Sequence, residues 1–147
     1  MKNTVQKIVA ASLFGAVLAG CSTTYAHGHK TAFTWVDTNK GAVLANKEGM
    51  TLYTFDKDTK GVSNCYGSCA TLWPPAVAQE SDKNVKKYTK VKRKDGSYQW
   101  AYDGKPLYTW VNDTKSGDVN GDGVKGVWHI VTKENSTASK AKGKYDY

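Results

Sequence analysis

The sequence predicts a single small all-β domain, a sandwich or partly open barrel with two pseudo-equivalent halves. Three observations carry this expectation. Aromatic residues make up 12% of the 147-residue chain, with five Trp and nine Tyr, which is too many for a disordered chain. Leu, Ile and Met are too scarce for a helical bundle, and past residue 21 no long stretch sustains apolar spacing of three and four. Short runs of Val, Tyr, Thr and Trp occur instead, punctuated by Gly, Asp and Asn, and one such run is duplicated within the chain.

Taken in order, residues 1–20 read as a leader rather than part of the fold. Lys2 and Lys7 form a basic head without an acid, residues 8–19 are apolar and small, and the run ends at Leu18, Ala19, Gly20 and Cys21. An apolar stretch this short suits a secretory signal, since a spanning helix needs about 20 apolar residues. The Leu-Ala-Gly-Cys ending resembles a bacterial lipoprotein signal. That resemblance implies Cys21 as the lipidation site, carrying palmitate-type acyl chains at the mature N-terminus. Ser22 after it resembles the signal for outer-membrane delivery in a host that has an outer membrane. Residues 21–31 are polar and contain His27, Gly28 and His29, the composition of a flexible tether.

The all-β domain is expected over residues 32–133. Strands are predicted at 34–36 and 42–45 around a turn at 37–41, and at 50–55. Residues 58–70 read as a loop holding Cys65 and Cys69. In the following 72–77 segment, Pro74 and Pro75 exclude a central strand. Strands at 88–93 and 98–102 flank Asp95-Gly96, a dipeptide that accepts the positive φ values of a type I′ hairpin turn. Asp103-Gly104 makes a second turn into a strand at 106–111, and 127–132 is the last strand. Residues 134–147 form a polar tail with little to pack, expected to be disordered.

The duplication is the strongest signal. Residues 49–60 align without gaps on residues 104–115, with the Gly, Leu, Tyr, Thr, Asp, Thr and Lys positions identical and Phe55 matched by Trp110. The pattern Tyr-x-aromatic-x-x-Asp thus appears as Tyr53, Phe55, Asp58 and again as Tyr108, Trp110, Asp113. A gapless duplicate repeats what a fold needs twice, so these aromatics read as architectural and the two Asp carboxylates as caps on the turns that follow. Together with Asn64 to Cys69, Trp73-Pro74-Pro75 and the 126–131 segment, the repeat resembles the bacterial secreted-repeat lipoproteins, a family without an assigned activity. The resemblance spans residues 34–132 and implies an envelope location.

Formal net charge is +8, with 21 basic residues against 13 acids. Loss of Lys2 and Lys7 with the leader leaves 19 against 13, or +6 on the mature chain. Lys83, Lys86, Lys87, Lys90, Lys92, Arg93 and Lys94 form the densest patch, and Lys140, Lys142 and Lys144 lie in the tail. Such a run reads first as a solvated face, and at a membrane it suits an anionic envelope polymer or an acidic envelope protein. Nucleic acid is not an expected partner of an exported protein.

Chemistry-bearing residues are few. Cys65 and Cys69, in an exported chain, are expected to form a disulfide; a thiol pair for copper, with His129 as a third ligand, is the sharper alternative. Asp118, Asn120 and Asp122 with Gly121 and Gly123 copy the first half of a calcium loop, but His129 stands where the bidentate Glu would be. An Asx-rich turn and a nonstandard Ca²⁺ site borrowing Asp113 both remain open there. His129 alternates with Trp128, so a buried Trp128 would turn His129 outward; haem ligation through it lacks the Cys-x-x-Cys-His motif. No hydrolase elbow, zincin motif or phosphate loop is present. The expected function is therefore a lipid-anchored, noncatalytic binding or structural module of the cell envelope. An accessory redox, copper or haem-associated protein using Cys65/Cys69 or His129 is the alternative.

Overall fold

In a computed structural model of the chain, the structure describes residues 32–134. The leader, Cys21, the tether histidines and the tail lysines lie outside the described residues. Eight strands follow one another: β1 (Phe33–Thr38), β2 (Gly41–Asn46), β3 (Tyr53–Phe55), β4 (Val77–Ala78), β5 (Tyr88–Lys92), β6 (Tyr98–Tyr102), β7 (Lys105–Pro106) and β8 (Trp128–Ile130). One short helix, α1 (Ser68–Leu72), and a 3₁₀ turn (Val124–Gly126) complete the elements. All pairings are antiparallel: β1 with β2, β3 with β8, and β4, β5 and β7 with β6. The all-β expectation is met, in a sandwich-like arrangement of small sheets rather than a closed barrel.

Two halves are visible in the pairing. β1–β2 corresponds to β5–β6, and the two copies of the repeat meet at Tyr53 and Tyr108. Each of these tyrosines donates its backbone N–H to the other's carbonyl, at 2.8 and 3.0 Å. This reciprocal bridge marks a pseudo-twofold axis through the centre of the domain. Residues 51–54 and 106–108 are buried on both sides, so the repeat occupies the middle of the fold.

The hairpins show how local chemistry sets turn type. Asp103 (φ 51°) and Gly104 (φ 79°) both take positive φ, the type I′ conformation, and join β6 to β7. At the earlier Asp-Gly site the expected type I′ turn does not form. Only Gly96 has positive φ (86°), and the loop closes with Gly96 N–H on Arg93 O and Arg93 N–H on Ser97 O. Asp95 uses its carboxylate to accept from Ser97 N–H at 3.0 Å and from the Ser97 hydroxyl, which holds a three-residue loop with Gly96 as the left-handed residue. The segment expected as loop over 58–70 likewise departs from that expectation by ending in α1, a single helical turn.

The core has two parts. Val43, Tyr53, Cys65, Trp73, Tyr108, Trp128 and Ile130 pack around the axis. Leu44, Leu52, Ala78, Trp100, Tyr102, Leu107 and Val131 form the second cluster, against which Phe33 and Trp35 of β1 pack. Phe33 stacks on Tyr88 at 4.5 Å and meets Trp100 edge-on at 5.3 Å, which fastens the β1–β2 hairpin to β5–β6.

Candidate functional site

The repeat builds the centre of the molecule, and it does so crosswise. Tyr53 donates its phenol to Asp113 Oδ2 at 2.5 Å, and Tyr108 donates to Asp58 Oδ2 at 2.7 Å. Each tyrosine is therefore bonded to the aspartate of the other copy. The remaining carboxylate oxygens close the turns that follow: Asp58 Oδ1 accepts from Asn64 N–H at 2.7 Å, and Asp113 Oδ1 from Asn120 N–H at 3.1 Å. Each carboxylate thus accepts from a backbone N–H of the turn that follows it and also from the tyrosine of the other copy. Burial pushes both phenols well above the usual tyrosine range, reinforced at Tyr53 by its bond to Asp113. Burial also raises Asp58 and Asp113, against the lowering effect of the hydrogen bonds they accept.

The aromatic residues of the two copies stack along one line. Trp110, Trp73, Trp128 and Phe55 follow at centroid separations of 5.1, 3.8 and 4.3 Å, all within 14° of parallel. Trp73 and Trp128 lie at the middle, 4% and 3% exposed, while Trp110 and Phe55 sit half-buried at the ends. Tyr53 meets Trp73 edge-on at 5.3 Å and Tyr108 meets Trp128 edge-on at 5.2 Å. Gly121 is required here for space: a Cβ on it would lie 2.8 Å from both Trp73 and Tyr53 ring atoms.

Arg93 corrects one expectation. Counted in the surface lysine patch from the sequence, it is 4% exposed. Alternation along the strand sends Lys92 and Lys94 out and Arg93 in. Its guanidinium donates to the Ser63 hydroxyl (2.9 Å), Gln99 Oε1 (2.5 Å) and the Cys65 carbonyl (2.8 Å). Ser63 in turn bonds Tyr108 Oη at 2.7 Å, so a buried chain runs from Arg93 to Asp58. A buried charge needs such partners to offset its desolvation. Cys65 and Cys69 form the expected disulfide, with a Cα–Cα distance of 5.3 Å, between the core and α1. While it persists, neither sulfur is a thiolate ligand.

The true basic face lies on the β5–β6 hairpin and the loop before it. Lys90 and Lys92 stand over the Tyr98 ring at 5.1 and 5.9 Å, and Lys94 over Tyr66 at 5.4 Å. Lys83 and Lys86 are exposed nearby.

On another face, Trp128 is buried and His129 points outward, as alternation predicts; its Nε2 lies 2.8 Å from Asp56 Oδ2. In the calcium-like segment the oxygens are directed at protein donors. Asp118 Oδ2 accepts from Thr114 and Lys115 N–H, and these bonds, Thr114's first, hold Asp118 down at about 2. Asp122 accepts from Ile130 N–H and pairs with Lys40 at 2.6 Å; burial would raise it, but these partners keep it below the usual range. Among the described residues, no three His, Cys, Asp or Glu side chains gather as a metal site.

A family model described as a secreted repeat of unknown function matches this chain twice, over residues 34–77 and 89–132. The two matched segments repeat at the spacing that carries Tyr53 onto Tyr108 and Trp73 onto Trp128. No curated protein and no solved structure matches the chain.

Proposed function

The chain belongs to the secreted-repeat family, and we propose that it serves there as a lipid-anchored, noncatalytic binding module of the bacterial cell envelope. An extracellular or envelope location goes with the family. The observation that carries the binding proposal is the lysine–tyrosine face of β5–β6. Lys90, Lys92 and Lys94 line up beside Tyr98 and Tyr66, with Lys83 and Lys86 exposed, whereas the repeat tyrosines lie in the core, out of reach of a polymer. Lys92 at the end of β5 and Lys94 in the turn after it are exposed, and Lys90 also donates to the Gln79 and Glu80 carbonyls. This group of ammoniums, backed by flat rings, suits an extended polyanion such as a phosphate-bearing envelope polymer.

The test is titration of the full chain with a poly(glycerol phosphate) at low and high salt. Binding that weakens with salt and drops sharply in Lys90→Gln/Lys92→Gln/Lys94→Gln supports the reading. Binding unchanged in that variant, or none at low salt, refutes it. The anchor is tested separately: Cys21→Ala should leave the membrane fraction, because an acylated cysteine is the hydrophobic attachment. Retention of Cys21→Ala on membranes after a salt wash refutes lipidation there.

A further inference from the structure

Three features meet at the pseudo-twofold axis. Three indoles are stacked in contact, Trp110 on Trp73 on Trp128, and the line runs from a half-buried end to the centre of the domain. Two phenols touch the inner indoles edge-on, Tyr53 at Trp73 and Tyr108 at Trp128. Each phenol already holds a carboxylate oxygen at 2.5–2.7 Å. Packing alone accounts for the stack. It does not require that both buried phenols face a carboxylate, which brings two acids into a region that penalises charge.

Indole and phenol are the readily one-electron-oxidised side chains of such a core, and rings in van der Waals contact exchange an electron rapidly. A phenol gives up an electron easily only when its proton can leave at the same time, so it needs a base at hydrogen-bond distance. Asp58 and Asp113 occupy that position.

We propose that the aromatic stack is a one-electron relay, which takes an oxidising equivalent at Trp110 and stores it as a tyrosyl radical on Tyr108 or Tyr53. The oxidant is an oxygen-centred radical of the peroxyl class arriving at the surface. It takes one electron from Trp110 and a proton from solvent, leaving a hydroperoxide and an indole radical cation. The hole passes through Trp73 to Trp128. Tyr108 then supplies the electron to Trp128 and its phenolic proton to Asp58 Oδ2, giving a neutral tyrosyl radical, a neutral indole and a neutral carboxylic acid. The same step at Trp73 uses Tyr53 and Asp113. One electron from an external quinol, which leaves as a semiquinone with its own proton released to solvent, together with the proton returned from the carboxylic acid, restores the starting state.

Four further observations fit this direction of flow. Phe55 stands where symmetry would place a second end indole, and a phenyl ring does not take the hole, so entry is confined to Trp110. Asp58 borders an open cleft of about 480 Å³ lined also by Asp56, Lys60 and Lys105, where its proton can exchange with water. Burial raises both aspartates, which makes them better proton acceptors. Both cysteines among the described residues are in the disulfide, so neither is a thiol that would drain the hole.

The experiment is flash photolysis of the full-length protein with photogenerated tris-bipyridyl ruthenium(III) as oxidant, followed by transient absorption. In the parent, the indole-radical band should decay as the tyrosyl band grows, and both should slow in D₂O. In Tyr53→Phe/Tyr108→Phe, which keeps both rings, the indole radical should persist several-fold longer and the coupled tyrosyl growth should vanish. Asp58→Asn/Asp113→Asn should slow that growth, and Trp110→Phe should lower the yield of core radical. Two results overturn the relay. One is an indole radical in the parent that decays without tyrosyl growth or solvent isotope effect. The other is tyrosyl growth unchanged in the double phenylalanine variant, which would place the radical on surface tyrosines. The first reads on the parent alone and does not depend on any variant folding.

Discussion

Truncating Trp128 to Ala perturbs the centre of the aromatic stack. Trp128 is 3% exposed and contacts three rings at once: Trp73 at 3.8 Å, Phe55 at 4.3 Å and Tyr108 edge-on at 5.2 Å. Large aromatic truncations in a core cost about 3–5 kcal/mol. This site belongs at the upper end, because Trp128 is packed between two stacked rings and Tyr108, the third neighbour, is tied by its phenol to Asp58 and cannot swing into the void. Domains of this size have a total stability of about 5–15 kcal/mol, and each kcal/mol shifts the melting temperature by about 4–8 °C. Trp128→Ala should therefore melt at least about 15 °C below the parent at the gentlest of those slopes. Trp110→Ala, which removes an end ring with one stacked neighbour, should lose about half as much as a fully buried aromatic. The assay is equilibrium urea unfolding followed by far-UV circular dichroism, with calorimetry as a check. Equal losses at the two positions, or a Trp128→Ala loss below about 1 kcal/mol, would refute the claim that the stack is anchored at its centre.

Three other outcomes follow from the same geometry. Reducing Cys65–Cys69 releases a five-residue loop and should lower stability by about 2 kcal/mol on the loop-entropy relation; an unchanged urea midpoint in dithiothreitol would contradict it. Gly121→Ala should cost about 1–3 kcal/mol, because the added methyl lands 2.8 Å from Trp73 and Tyr53 rather than in a strained backbone region; melting at the parent temperature would show that the rings can yield. Asp58 and Asp113 have folded-state pKa values raised above the unfolded 3.8, so the folded chain binds more protons in that window and their contribution weakens as pH rises through it. Asp118, held at about 2, acts oppositely, stabilising above 3.8 and losing that contribution as pH falls toward 2. Melting temperatures across the acid range should thus change slope in opposite directions in Asp58→Asn and Asp118→Asn, and parallel curves would sink the assignment.

Much of this was readable from local patterns. The β class came from residue types and punctuation, the two halves from a gapless duplicate, and the disulfide from two cysteines close in an exported chain. The outward His129 came from simple alternation with a buried Trp128. These are properties of neighbours along the chain, and neighbours are what a sequence displays. Three decisions belonged to the tertiary structure. The duplicated Tyr and Asp look like partners within one copy, five residues apart, yet the antiparallel bridge at Tyr53 and Tyr108 sets each phenol against the other copy's carboxylate. Arg93 reads as one cation among lysines, and only strand register, with Ser63, Gln99 and the Cys65 carbonyl waiting inside, turns it into a core residue. Trp73 and Trp128 carry no mark of being stacked. Their contact arises because a pseudo-twofold axis brings equivalent positions face to face, and such an axis exists only once distant segments have packed.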